Sequence, residues 1–192
     1  MQLKSLQTLV NAVYPLSFEE WEAFSASWRK VSFKRKEIIT RAGEIEKYLY
    51  YVESGIQRGF VSDEQGRDVT IVFTYPPSFS GVPDSFQLQQ PSDVYFEALT
   101  QSEMYRLSYY EFERLIDKYP KIERFVRLAT AAALKGVIKR QAEVMVFSAE
   151  ERFKALLNRS PHLLNLIPHK YMASYLGIDA STFSKLLNKV KL

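Results

Sequence analysis

Apolar and polar positions recur at two different periods along this chain, and the change of period divides it into segments. Between residues 31 and 107, short runs rich in β-branched and aromatic residues are separated by turns about 8 to 12 residues apart. In "GFVSDEQGRDVTIVF", alternation places Val69, Ile71 and Phe73 on one face, after a turn that contains Gly66. The pattern predicts an antiparallel β-sandwich or β-roll that includes this hairpin.

The sequence predicts helices both before and after this segment. Three serine–glutamate pairs, each three residues apart, have the pattern of capping boxes and predict helix starts: Ser17 with Glu20, Ser108 with Glu111, and Ser148 with Glu151. The helix that begins after Ser108 is expected to end before Pro120, because proline cannot continue a helix from within.

The longest helical pattern covers residues 121–147, which contain one glycine and no proline. Its first apolar stripe, which we assign to a dimer helix, consists of Ile122, Val126, Ala129, Ala133 and Val137. A second stripe beside it contains Leu134, Ile138, Gln141 and Met145. One stripe can pack on the chain's own β-domain and the other on a second copy, so we expect a homodimer. An ordinary core helix is the alternative.

The break after this helix is the expected domain boundary. We expect an α+β fold in which residues 1–147 form a β-roll with a long dimerisation helix and residues 148–192 form a small helical domain.

The small domain ends in a pattern of two short helices joined by a tight turn. In "HKYMASYLGI", Met172 and Leu176 are apolar and four residues apart, and Ala173 is small where a second helix must cross. Gly177 permits the left-handed conformation that redirects the chain, and Ile178 fills the corner. These features predict a helix-turn-helix, with a purely structural helical hairpin as the alternative.

The second of these helices is expected over about residues 180–190, with Asp179 as its cap. At about 100° per residue, one side is apolar (Phe183, Leu186, Leu187, Val190), and the opposite side carries Ser181, Lys185 and Asn188. Hydroxyl, amine and amide groups can bond base edges and phosphates in a major groove. The candidate DNA-binding residues are Lys170, Tyr171, Ser181, Thr182, Ser184, Lys185, Asn188 and Lys189.

The distribution of charged residues also favours the C-terminal segment as the part of the chain that binds DNA. The net charge of the 192 residues is +4; residues 1–149 hold 19 basic and 19 acidic side chains, whereas residues 150–192 hold 7 and 3. Clustered positive charge suits a phosphate backbone, although a solvated basic face is the simpler interpretation of charge alone.

Composition excludes several kinds of chemistry. Without cysteine there are no disulfides, thiol nucleophiles or cysteine-held clusters, and two histidines do not make a multi-histidine metal site. We therefore expect no metal, no cofactor and no enzyme, and interpret Glu44, Glu46, Glu53 and Asp68 as surface or turn carboxylates. The sequence shows no run of about 18 apolar residues and no secretory signal, so we expect a cytoplasmic protein without a membrane partner.

The order of "KEIITRAGE", "YLYYVESGIQRGF", "GRDVTIVF", a long helix and "MASYLGIDASTFSKLL" resembles the cyclic-AMP receptor protein and fumarate–nitrate regulator (Crp/Fnr) family of bacterial transcription factors. The resemblance covers residues 15–190. It implies a β-roll effector domain, a dimer and a palindromic site on double-stranded DNA, with half-sites roughly 34 Å apart.

The chain also departs from the family pattern. Members that bind cyclic nucleotides carry Gly-Glu and then Arg followed by Ser or Thr; here the corresponding positions are Gly81-Val82 and Ser92-Asp93. A phosphate site without its cation should reject a cyclic phosphate, so we expect no tight cyclic-AMP binding. The segment that contains these positions resembles that of a divergent, Bacteroidetes-like subgroup of the family. A pocket for another, unknown small-molecule effector, or a loop without ligand, would involve Gly81, Val82, Pro83, Asp84, Ser85 and Ser92.

The recognition helix departs as well. Ala180 and Ser181 stand where the family typically has Arg and Glu, and Lys185 stands where a later Arg is common. No sequence follows for the β-hairpin wing of many relatives, so fewer phosphate contacts are expected. The resemblance therefore leaves two hypotheses, a dimeric DNA-binding regulator and a regulatory module that acts through protein partners.

Overall fold

The computed structural model describes residues 3–189. Two helices, α1 (Lys4–Val13) and α2 (Phe18–Ala26), precede the β-rich segment. The strands are β1 (Arg29–Phe33), β2 (Ile38–Thr40), β3 (Tyr48–Ser54), β4 (Gln57–Ser62), β5 (Asp68–Thr74), β6 (Ser78–Ser80), β7 (Tyr95–Ala98) and β8 (Ser102–Ser108), with α3 (Pro83–Leu88) between β6 and β7. The remaining helices are α4 (Tyr109–Lys118), α5 (Pro120–Val146), α6 (Ala149–Arg159), α7 (Leu163–Leu166), α8 (His169–Leu176) and α9 (Ala180–Lys189).

The strands form two four-stranded sheets, ordered β1-β8-β3-β6 and β2-β7-β4-β5. Strand β8 lies antiparallel to both β1 and β3, with Tyr51 opposite Tyr105 in the second pairing. The predicted α+β architecture with an antiparallel β-roll is confirmed. The hairpin turn is also as expected, because Gly66 donates its amide to the carbonyl of Asp63 at 2.9 Å.

The first sheet has an apolar cluster on each face. One face contributes Leu49, Tyr51, Tyr105 and Leu107 to the larger cluster, which also contains residues of α1, α2, α4 and the first half of α5. The other face contributes Tyr50, Val52 and Met104 to a smaller cluster that includes Ile39 of the second sheet. Side chains alternate between the faces of a strand, so a sheet covered on both sides requires apolar residues at successive positions, as in "YLYYV".

The capping serines begin helices where the sequence predicts them. Ser17 and Ser148 form complete capping boxes with Glu20 and Glu151. Ser108 accepts the amide of Glu111 at 3.3 Å, but the Glu111 carboxylate instead accepts hydrogen bonds from neighbouring side chains. The long helix is observed over Pro120–Val146, one residue earlier than expected, because proline is compatible with a first helical turn.

The chain divides into two compact units. The first comprises Met1–Gly59 and Phe73–Ala133, and the second comprises Phe60–Val72 and Leu134–Leu192. The expected boundary at residue 147 coincides with the break between α5 and α6, whereas the compact units divide within α5 and assign the end of the β4–β5 hairpin to the second unit.

The first apolar stripe of α5 is divided between the core and the surface. Ile122 is 1% exposed and lies in the larger core cluster, with Val126 and Ala129 packed against it. In the same stripe, Ala133 and Val137 are exposed. Periodicity identifies an apolar face but not what covers it, and this face is covered by the chain's own core over its first half.

Candidate functional site

The turn between α8 and α9 has the geometry that the sequence predicts. Gly177 is left-handed, with φ 65° and ψ 40°. Its amide donates to the carbonyl of Ser174, and the amide of Ile178 donates to that of Ala173 at 3.1 Å. These two bonds form a Schellman motif, which satisfies the last carbonyls of α8 and redirects the chain. The helix-turn-helix is therefore built by local backbone bonding.

The inner side of this motif is tightly packed. Met172, Ala173, Leu176 and Phe183 are at most 3% exposed, and Leu186 is 8% exposed. The Phe183 ring packs edge-on against Phe153 of α6, with centroids 5.4 Å apart. The apolar side predicted for α9 thus faces α6 and α8, except that Val190 lies outside the described residues.

The opposite side of α9 is exposed and polar. Ser181, Ser184, Lys185, Asn188 and Lys189 are exposed, and Thr182 is half-buried. At the helix start, the Asp179 carboxylate accepts hydrogen bonds from the Thr182 amide at 2.8 Å and from the Ser181 and Thr182 hydroxyl groups at 2.6 and 2.7 Å. The Ser181 hydroxyl, together with the amide and hydroxyl of Thr182, holds the pKa of Asp179 well below its usual range. Asp179 is an ionised cap, as the sequence suggests.

Two of the candidate lysines have partners within the second unit. Lys189 pairs with Glu150 at 2.6 Å, and hydrogen bonds from Lys154 and Lys189 lower the pKa of Glu150 to about 2. The ammonium group of Lys170 lies 4.7 Å from the centroid of the Tyr171 ring. Lys185 is the exposed cation near the middle of the polar side of α9.

Helix α8 is held in the second unit by contacts from two elements distant in sequence. The Ser174 hydroxyl accepts the amide of Thr70 at 2.9 Å and donates to the carbonyl of Asp68 at 3.2 Å, so it bonds the backbone of the edge strand β5. The guanidinium of Arg140 on α5 donates to the Tyr175 carbonyl and lies 4.2 Å from the centroid of the Tyr175 ring. Sequence analysis missed these contacts, because a serine and an arginine on helices carry no local signal of a distant partner.

Three of the proposed effector-pocket residues are buried. Val82, Ser85 and Ser92 are at most 4% exposed. The Ser85 hydroxyl accepts the amide of Glu46 at 3.0 Å and donates to the carbonyl of Gln90 at 2.6 Å. The Ser92 hydroxyl accepts the amide of Val94 at 2.9 Å and donates to the carbonyl of Val94 at 2.7 Å. Both hydroxyl groups bond the backbone of the folded segment, and the assignment of these residues to an effector pocket stays a prediction.

The other three candidates of this region remain at its surface. Pro83 and Asp84 are exposed in the first turn of α3, and Gly81 is half-buried at φ 109°. A Cβ atom added at Gly81 would lie 3.2 Å from the Tyr50 ring and 3.4 Å from the Tyr48 carbonyl, which explains why a glycine fits here.

The interpretation of Glu46 as a surface carboxylate is wrong. Glu46 is 2% exposed; one oxygen accepts the Thr40 hydroxyl at 2.6 Å, and the other accepts the Tyr48 amide at 3.1 Å. Burial raises its pKa, and these hydrogen bonds oppose the rise. Through these bonds and the bond from its amide to Ser85, Glu46 connects β2, the start of β3 and α3.

A surface cleft of about 530 Å³ in the first unit involves none of the proposed effector residues. It is lined by residues of α2, the sheet and α4, including Arg29, Arg106 and Arg114. Across residues 3–189, no three histidine or acidic side chains are grouped as metal ligands. Nor does that range contain a helix whose length and apolarity would suffice to cross a membrane.

Residues 30–119 match the cyclic nucleotide-binding domain family. Among curated proteins, the chain is 24% identical over 127 residues to the cAMP-activated global transcriptional regulator CRP of Pasteurella multocida, covering 66% of this chain and 61% of that protein. It is 23% identical over 175 residues to the fumarate and nitrate reduction regulatory protein of Yersinia pestis, covering 84% and 68%. Its fold is similar to that of FixK2 from Bradyrhizobium japonicum, with a TM-score of 0.77, 18% identity, and 84% and 83% of the two chains covered.

The matched domain is followed in this chain by a long helix and a helix-turn-helix. The curated relatives include one named as a cAMP-activated regulator and one named as a fumarate and nitrate reduction regulatory protein. The chain is similar to regulators of the Crp/Fnr family. It spans about two thirds of the length of these curated relatives.

Proposed function

We propose that the chain is a dimeric transcriptional regulator that binds a palindromic site on double-stranded DNA, with α9 in the major groove. The observation that carries this proposal is the division of α9 into a buried apolar side and an exposed polar side, presented by a Schellman turn. A helix that served only to close a core would not need an exposed amine, amide and hydroxyl groups on one side. Relatives named as regulators support the assignment and give no support to an enzyme.

A dimer is supported by the second half of α5. Five apolar side chains there are 44–77% exposed and fall within an arc of about 120° on the helix: Leu134, Val137, Ile138, Val144 and Met145. Exposed apolar side chains in a continuous arc are typical of an interface, and the same helix of a second copy offers a matching surface. The arc contains Leu134, Ile138 and Met145 of the second stripe predicted from the sequence, together with Val137 of the first stripe.

The dimer is tested by sedimentation of single-residue variants. Val137→Lys places a charge within the arc and should shift the protein to monomers. Ala132→Lys adds the same charge on the opposite side of the helix and should leave the dimer intact. Identical sedimentation of both variants and the parent would contradict the proposed seam.

The effector is proposed to be something other than cyclic AMP, or absent. Ser92 and Asp93 occupy the positions at which the family pattern has Arg followed by Ser or Thr, and Ser92 is buried with its hydroxyl bonded to Val94. A cyclic phosphate there would meet the exposed carboxylate of Asp93, and Ser92 stands in place of the cationic side chain of the family pattern. Micromolar binding of cyclic AMP in a calorimeter would overturn this part of the proposal.

DNA binding is tested by gel-shift titration at several salt concentrations, with DNA selected from a random pool. Each phosphate contact contributes about 0.9 to the slope of log affinity against log salt, so Lys185→Ala should weaken binding and, if it contacts phosphate, reduce the slope by about 1. Lys34→Ala, which removes an exposed charge from the first unit, is the matched control. No salt-dependent complex with any DNA would reject the proposal and favour a module that acts through protein partners.

A further inference from the structure

The surface cleft of the first unit gathers cationic side chains from three elements. Arg29 of β1, Arg106 of β8 and Arg114 of α4 line it, and Glu111 of α4 contributes the one carboxylate among its lining residues. Three cations against one carboxylate leave two positive charges without a counter-charge in the lining. The volume of about 530 Å³ lies within the range of roughly 300–1,000 Å³ that is typical of small-molecule sites. The cleft therefore has the size and the charge of a site for a small anion.

Two of these arginines are arranged in a way that opposes the stability of the sheet. Arg29 and Arg106 lie directly opposite each other on the antiparallel strands β1 and β8. Opposite residues place their Cβ atoms about 4.5–5.5 Å apart on one face, and like charges in such a pair destabilise a sheet. Within residues 3–189, Arg106 has no carboxylate at ion-pair distance. A local arrangement that opposes stability is typical of a functional site, because a ligand can supply the missing charge.

The three guanidinium groups are held in place and still have donors to offer. Arg29 donates from Nη1 to two backbone carbonyls of the preceding turn. Arg114 donates from Nε and Nη2 to one Glu111 oxygen at 3.1 and 2.6 Å. The Arg106 guanidinium lies 4.4 Å from the centroid of the Tyr48 ring. A guanidinium has five N–H donors, so these contacts leave several of them for a ligand that accepts hydrogen bonds.

A phosphoryl group fits this arrangement better than a carboxylate does. A carboxylate has two coplanar oxygens, which the fork of one guanidinium satisfies. A phosphate monoester has three terminal oxygens and a charge of about −1.5 to −2 at pH 7. These values match three guanidinium groups on three elements and two uncompensated positive charges. Ala23 and Ala26 of α2 also line the cleft and provide an apolar wall for the organic part of such a ligand.

We propose that this cleft binds a small organic phosphate and that Arg29, Arg106 and Arg114 hold its phosphoryl group. The site is separate from the effector region predicted within residues 81–92, none of which lines the cleft. A phosphoryl group here neutralises the like-charged pair and connects β1 and β8 to α4. Because the ligand binds the folded chain, its binding should raise the melting temperature as its concentration increases.

Calorimetric titration of the full chain with methyl phosphate, in a phosphate-free buffer of low ionic strength, tests the site. We expect saturable binding at one site per chain. Arg106→Gln should weaken the affinity about tenfold or more, because it removes charge-assisted hydrogen bonds. Arg106→Lys keeps the charge but not the planar fork, so its loss of affinity should be smaller. Arg35→Gln, which removes an exposed charge of the first unit outside the cleft, is the matched control and should bind like the parent.

Two further measurements distinguish the site from a general loss of structure. Glu111→Gln removes the carboxylate that repels an anion and should tighten binding, a gain that misfolding does not produce. The titratable and charged side chains of the cleft are Tyr48, Glu111 and the three arginines, without a histidine. Hydrogen bonds from Arg114 lower the pKa of Glu111, whereas a phosphate monoester loses its second proton near pH 6. The affinity should therefore rise about fourfold between pH 5.5 and 7.5, as the dianion forms.

Three results would overturn the inference. The first is no saturable binding at about 10 mM methyl phosphate. The second is an equal affinity of the parent and Arg106→Gln, which would place the anion elsewhere. The third is tighter binding of succinate than of methyl phosphate, which would replace the phosphate with a dicarboxylate. These titrations contain no DNA, so their outcomes are independent of the proposed DNA binding.

Discussion

Removing the carboxylate of Glu143 tests how α8 is held within the second unit. Glu143 is 4% exposed and accepts three hydrogen bonds from Arg159 at 3.0–3.4 Å. The guanidinium of Arg140, which packs on Tyr175 of α8, lies 3.7 Å from the same carboxylate. Glu143→Ala therefore leaves two arginines without the carboxylate that neutralises them.

The expected cost follows from the exposure of the partners. Breaking a fully buried ion pair by removing one member costs about 3–5 kcal/mol. The Arg159 side chain is 39% exposed, so water replaces part of its lost interaction, whereas that of Arg140 is 16% exposed. We expect Glu143→Ala to lower the free energy of unfolding by about 2–3 kcal/mol, and Glu143→Gln, which keeps one acceptor oxygen, by about 1–2 kcal/mol.

Urea unfolding followed by far-ultraviolet circular dichroism measures this free energy. The matched control is Glu123→Ala on the same helix, because Glu123 pairs with Arg127 at 3.7 Å and both side chains are more than half exposed. That pair should be worth less than about 0.5 kcal/mol. If Glu143→Ala cost no more than Glu123→Ala, the assignment of an anchoring role to the buried carboxylate would be refuted.

Gly177→Val should lower the melting temperature, because a β-branched residue at φ 65° costs about 1–2 kcal/mol. Gly177→Asn should be nearly neutral, and equal melting temperatures of the two variants would contradict the left-handed turn. Ser174→Ala removes a bond to the Thr70 amide and another to the Asp68 carbonyl, so hydrogen exchange at Thr70 should accelerate about fivefold, and an unchanged rate would argue against this contact. Because the pKa of Glu46 is raised, the folded chain retains a proton above pH 4.5 that the unfolded chain releases. The contribution of Glu46 to the free energy of unfolding therefore declines as pH rises from 4.5. Glu46→Gln should flatten that decline in unfolding experiments at different pH; an unaltered profile would contradict the assignment.

The helix-turn-helix could be predicted from sequence because its determinants are local. Met172 and Leu176 lie one turn apart, Gly177 follows directly, and Phe183 begins the next apolar side within a few residues. The backbone bonds that close the turn join residues separated by at most five positions. The capping serines are local signals of the same kind, and they begin helices where expected.

Spacing along single segments predicted the change between β-rich and helical segments, the apolar side of α9 and an apolar face on α5, but not the helices α1, α3 and α7. The folded structure was needed to show that Ile122 is covered by the chain's own core while Val137 is exposed, that Glu46 is buried, and that Ser174 bonds strand β5. The physical reason is that periodicity records which side of an element is apolar, whereas burial and hydrogen-bond partners depend on residues far away in the chain.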